Sequence, residues 1–220
     1  MPSAAKSPVH KPGTIATSKV EMKERILQTA DRLFYLRGIR AIGVDTIAAE
    51  IGISKRTLYN HFPSKDELIA AYLKRRFVIA SPTEKPAADQ ILGYFDALER
   101  RFSAKDFRGC PFVNAVAELG PADRAVKKIA VAFKEARRLW FRDLLKQLGI
   151  ADPEALSTQL VLLVDGSIAQ DLVRDDPAMA RAAKAAATVL LENAGIAVAA
   201  ETRASARSRR SGQGKAIHGP

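Results

Sequence analysis

The chain has 220 residues, of which 47% are apolar and 27% charged, a balance that supports a buried core and excludes a chain disordered throughout. Lys and Arg number 35 against 24 Asp and Glu, and the net charge of +11 favours a polyanionic partner. The single cysteine, Cys110, excludes an intramolecular disulfide, and with three scattered histidines it matches no zinc-ligand spacing, so no metal or other cofactor is expected.

The apolar runs fall far short of the roughly 20 residues of a membrane span, and the start lacks the apolar core of a secretory signal. A cytoplasmic protein with no membrane partner is the expectation. The charge is unevenly placed: +2 over 1–18, +5 over 19–79, zero over 80–200 and +4 over 201–220.

Residues 1–18 are rich in Pro, Ser, Ala and Lys and read as a flexible basic arm. Apolar residues then recur at three and four, with no alternating β-branched run, so an all-α fold is predicted. The first helix, VEMKERILQTADRLFYLRG, carries Ile26, Leu27, Ala30, Leu33 and Phe34 on one stripe and ends at Gly38. Asp45 is the expected N-cap of a short helix over 46–51, followed by a turn at Gly52. Ser54 is placed to cap a helix over 55–61 that Phe62 and Pro63 stop. Ser64, with Glu67 three residues on, opens a fourth helix predicted to reach about Ile79.

Pro82 and Pro86 then interrupt helicity while the composition turns neutral. We place the first folded unit at 19–66 and the second at 67–200. Helices are expected there over 88–103, 111–119, 122–148, 153–174 and 178–193. Residues 201–220, ending SARSRRSGQGKAIHGP, read as a flexible basic tail.

Residues 45–62, DTIAAEIGISKRTLYNHF, have the spacing of a helix-turn-helix. Ala48 is small enough for a close crossing, Gly52 makes the turn, and Ile47, Ile51, Ile53 and Leu58 face inward. The outer side of the second helix carries Ser54, Lys55, Arg56, Thr57, Tyr59, Asn60 and His61, all able to donate to phosphate or base edges and none acidic. A solvated face on a structural hairpin would show similar polarity; the Ala, Gly and apolar spacing favours DNA.

At this point the chain resembles the TetR family of bacterial transcriptional regulators over about 22–70. The resemblance rests on TLYNHFPSKDEL following IAAEIGIS and ILQTADRLFYLRG. It implies that Thr46 contacts phosphate, that Lys55 and Arg56 face bases, and that Thr57, Tyr59 and His61 hold phosphate or sugar. Lys65 would do the same from the fourth helix, and Asn60 could face the groove or point away from it. Gly43 and Val44 would supply a backbone approach and a packing contact.

The resemblance also implies a helical C-terminal unit that binds a small effector and dimerises. RGCPFVNAVAE, residues 108–118, is similar to a segment that borders the effector cavity in one branch of the family. Candidate cavity residues are Phe95, Leu98, Phe102, Cys110, Phe112, Val113, Val116, Phe133, Trp140 and Leu144, which would equally serve as ordinary core. The candidate dimer face comprises Leu156, Leu160, Leu163, Val164 and Ile168 on one helix with Ala183, Ala186, Ala187 and Leu190 on the next.

The expected function is a homodimeric, ligand-responsive repressor on a palindromic operator in double-stranded DNA. A non-specific basic architectural DNA-binding protein is the alternative. No phosphate loop, nucleophile elbow or dinucleotide fingerprint is present over 80–200, so no catalytic residues are assigned and an enzyme is not expected.

Overall fold

The computed structural model describes residues 19–79, 83–120 and 123–197, all helices and connections. The basic arm and tail expected at 1–18 and 201–220 lie outside the described residues. In chain order the helices are α1 Lys19–Arg37, α2 Val44–Ile51, α3 Lys55–Tyr59, α4 Lys65–Arg75, α5 Ala87–Phe102, α6 Pro111–Leu119, α7 Arg124–Gln147, α8 Pro153–Arg174 and α9 Ala178–Asn193. None among the described residues is long and apolar enough to cross a membrane.

Two cores organise them. The first gathers Ile26, Phe34, Ile42, Ile47, Leu58, Leu68 and Tyr72 from the stretch α1 to α4 with Cys110, which precedes α6, and with Phe112, Ala115, Val126 and Phe133 from α6 and the first half of α7. The second gathers Ile91, Phe95, Phe141, Leu145, Leu160, Val164, Ala187 and Leu191 from α5, the rest of α7, α8 and α9. The four N-terminal helices therefore share one apolar interior with α6 and α7. At roughly 1.5–3 kcal/mol per buried large side chain, so extensive a shared core joins the two parts firmly.

The fourth helix stops at Arg75, one turn short of the predicted Ile79. Arg76 leaves α4 to make a two-pronged pair with Asp31, at 2.6 and 3.0 Å, while its guanidinium lies 3.9 Å from the Tyr35 ring centre. The Phe77 ring then enters the core edge-on to Phe112 and Phe133. Tertiary anchoring thus overrides a helical sequence pattern.

Burial divides the candidate dimer face. Leu156, Leu160, Val164, Ala183 and Ala187 are buried within their own chain, and Leu163, Ile168, Ala186 and Leu190 are half-buried against it. The outward stripe lies on the opposite side: Leu162, Gly166, Ala169 and Val173 on α8, and Ala182, Ala185 and Val189 on α9, are all exposed. Their spacings of three and four put each set on one helix face. Asp165, which breaks the apolar pattern of α8, accepts from Lys134 at 2.6 Å and Arg137 at 2.5 Å and so ties α8 to α7.

Candidate nucleic-acid interface

The helix-turn-helix is built from short-range geometry. Gly43, not Asp45, precedes α2, and Asp45 sits in its first turn. Gly52 adopts φ +71°, with its N–H on the Ala49 carbonyl at 3.2 Å and the Ile53 N–H on the Ala48 carbonyl at 3.0 Å. This paired closure ends α2 and turns the chain sharply. Ser54 caps α3 as expected, its Oγ accepting the Thr57 N–H at 3.0 Å. Leu58 is fully buried under the short helix and fixes which side faces out.

Lys55, Arg56, Tyr59 and Asn60 are exposed on that outer side, with Thr46 exposed on α2. Thr57 and His61 are half-buried. The Thr57 hydroxyl lies 2.9 Å from that of Ser54, and His61 Nδ1 is buried without a partner among the described residues. α3 ends at Tyr59, two residues before the predicted end, with Asn60 as its C-cap. Four of the predicted DNA contacts thus form one open patch at the helix.

Two features were not legible. Lys55 Nζ donates to Asp45 Oδ2 at 3.0 Å, and this bond raises the lysine's pKa above its ordinary value. An acidic side chain from the neighbouring helix therefore adjoins a face that contains none of its own. Lys65, expected on phosphate, turns inward: its Nζ donates to the Ile39 carbonyl at 2.7 Å and lies 5.9 Å from the Phe34 ring centre, and burial lowers its pKa. That ammonium joins the α1–α2 connection to α4 rather than standing on the open face.

The predicted cavity residues divide. Phe112, Val113 and Val116 line an apolar groove of about 570 Å³ between α6, α7 and α8, with Val131, Val161 and Leu162 opposite. Its size suits a small organic molecule. Phe133 stacks behind Phe112, ring centres 3.9 Å apart. Cys110 is buried in the first core, Phe95 and Leu144 lie in the second, and Leu98 and Trp140 pack against the second. Phe102 borders a separate, smaller cavity. These outliers are wide aromatic stripes whose helical spacing does not distinguish core from cavity wall. Among the described residues no group of three or more His, Cys, Asp or Glu is poised to hold a metal ion.

The family model described as bacterial regulatory proteins, TetR family, matches residues 26–72, the span from α1 into α4. A TetR-family transcriptional regulator from Streptomyces coelicolor has the same fold over 79% of this chain and 96% of its own, with a TM-score of 0.71 and 34% identity. The chain belongs to the TetR family. A second such regulator, from Streptomyces avermitilis, aligns over 80% of this chain and 98% of its own at TM-score 0.70 and 31% identity. The HTH-type transcriptional regulator LmrA of Bacillus subtilis (strain 168) is 27% identical over 67% of this chain and 85% of its own length. This TetR-family chain is accordingly a DNA-binding regulator of transcription.

Proposed function

We propose that the protein is a ligand-responsive repressor that binds a palindromic operator as a homodimer, with residues 19–66 as the reading head and 67–200 as the effector and dimerisation unit. The observation that carries this reading is the open, acid-free outer side of α3. Lys55, Arg56, Tyr59 and Asn60 stand exposed there over a buried Leu58, on a short helix capped by Ser54. Arg56 and Asn60 are the side chains able to pair in two-pronged fashion with guanine and adenine. Thr46, Ser54, Thr57, Tyr59 and His61 surround them as phosphate or sugar donors. Lys55 joins them once DNA competes with Asp45.

The exposed apolar stripes of α8 and α9 support self-association about a two-fold axis, which would space two heads by about one helical turn of DNA, roughly 34–36 Å, or somewhat more. The groove supports the effector role. A ligand pressing on Phe112 pushes against Phe133 and Phe77, whose ring centres lie 5.4 Å apart just beyond the end of α4. Displacement there shifts the head spacing, so the effector releases the operator by as much as it prefers the displaced arrangement.

The test is selection from random DNA duplexes at two salt concentrations with the bound sequences read out. A two-fold palindrome that survives the higher salt is the expected result. Recovery of no motif, with affinity collapsing in salt, would replace this reading with a non-specific architectural protein.

A further inference from the structure

Asp171, on the last turns of α8, is 3% exposed, and its Oδ1 has no hydrogen-bond partner among the described residues. A buried carboxylate left unpaired is costly, by about 1–3 kcal/mol or more for a charged group, so its persistence needs a reason. Asp171 lines a cavity of about 210 Å³ with a predominantly polar wall, between the 103–108 loop and the C-terminal end of α8. Asp175, at that helix end with φ +50°, lines the same cavity. The carbonyl end of the α8 dipole adds to the negative potential.

Three cations on the neighbouring helices are committed elsewhere, while Arg100 and, on α8 itself, Arg174 are exposed. Arg101 pairs with Asp106 at 2.7 Å, Lys184 with Asp96 at 2.7 Å and Arg181 with Glu99 at 2.5 Å. Lys105 and Arg108 line the cavity, yet both residues are exposed and neither bonds to Asp171. Asp176 Oδ1 accepts the Ala178 N–H at 3.0 Å. Asp171 Oδ1 thus has acidic neighbours and no donor among the described residues.

We propose that this cavity is a second small-molecule site, distinct from the groove, which takes a compound carrying a primary ammonium group with its N–H donors on Asp171 and its other end toward Lys105 and Arg108. The polar wall favours an ammonium with N–H bonds over a quaternary one. The two cations at the mouth select against a second positive charge and accept a carboxylate, so zwitterions such as amino acids suit the site better than diamines. The occupant would lie against the 103–108 loop, whose far side is fixed to α1. The Arg108 N–H donates to the Tyr35 hydroxyl at 2.9 Å, and that hydroxyl donates to the Gly109 carbonyl at 3.0 Å.

The experiment is calorimetric titration of the full-length protein with propylammonium, against tetramethylammonium and putrescine. One saturable propylammonium site per subunit is expected, with each comparator weaker by about tenfold or more. Asp171→Asn, which removes a buried charge and keeps the side-chain shape, should abolish that binding while the circular dichroism spectrum is unchanged. Asp175→Asn, at an exposed position, should weaken it. Val131→Asp, which places a charge in the groove wall, should leave it intact and so separates this site from the effector groove. Burial, with Asp175 and Asp176 nearby, holds the Asp171 carboxyl above the usual carboxylate range, so binding should be lost on acidification before an ordinary aspartate protonates. Absence of saturable propylammonium binding, equal binding of tetramethylammonium, or undiminished binding by the Asp171→Asn variant would each overturn the proposal.

Discussion

Glu118 Oε2, near the end of α6, accepts the backbone N–H of Arg40 at 3.0 Å. The helix that walls the groove therefore ends on the connection that leads from α1 into the helix-turn-helix. Gly38 makes the approach possible: it sits at φ +90°, and a Cβ there would stand 3.0 Å from the same carboxylate. Glu118→Ala is expected to expose the Arg40 amide to faster hydrogen exchange and to weaken specific operator binding by about tenfold, the worth of a hydrogen bond to a charged group. Non-specific affinity should hold, because the side chains proposed to face phosphate are untouched. Unchanged exchange at Arg40 would show that the bond does not position the head.

Arg56 is exposed on α3 and has no ion-pair partner among the described residues, whereas Lys55 is held by Asp45. Arg56→Ala should relax base preference at one position of each half-site, a loss of about 1–3 kcal/mol of discrimination. Asp45→Asn should do the reverse for bulk affinity. It frees one cation at little cost to stability, since an exposed pair is worth roughly 0–1 kcal/mol. Binding to random DNA should tighten a few-fold, and the salt slope should steepen by about one phosphate contact. Salt titrations of both variants on operator and random duplexes check this, and intact base preference in Arg56→Ala would move the reading role off α3.

Lys65 illustrates how structure revises a motif. Its ammonium is spent on the Ile39 carbonyl inside the N-terminal bundle. Lys65→Met should therefore lower thermal stability, by about 1 kcal/mol or roughly 2–4 °C, for the loss of that bond. The slope of operator affinity against salt should stay as it is. A flattened slope with unchanged melting temperature would instead return Lys65 to the phosphate backbone.

What was legible follows from how local the determinants are. The limits of α6, α8 and α9 agree with their punctuation by Pro111, Pro153 and Pro177 and by flanking glycines, and Ser54 and Ser64 cap α3 and α4 as their positions indicate. Where a distant partner decides, sequence periodicity fails. Arg76 ends α4 because Asp31 and Tyr35 hold it, and Lys65 turns inward because the Ile39 carbonyl lies within reach. On α8 and α9 apolar residues cover wide arcs, so the choice between inner and outer face rests on what α5 and α7 already bury.

That choice has a direct test at Val189, 52% exposed on the outer side of α9, four residues from Ala185. If the outer stripes form the two-fold interface, Val189→Glu sets two carboxylates near the axis in an apolar contact, where neither finds a partner. Sedimentation should then show monomers at concentrations at which the parent chain is dimeric. Operator binding should fall by far more than Arg56→Ala achieves, since each head alone reads half a palindrome. The monomer should keep its own fold, because Ala187 and Leu191 beside it supply the buried side of α9. Replacing the buried Ala187 by Glu should behave differently: it disrupts the second core and lowers the melting temperature by several degrees, with dimerisation lost only as folding is lost. A dimer undisturbed by Val189→Glu would place the two-fold contact on another surface.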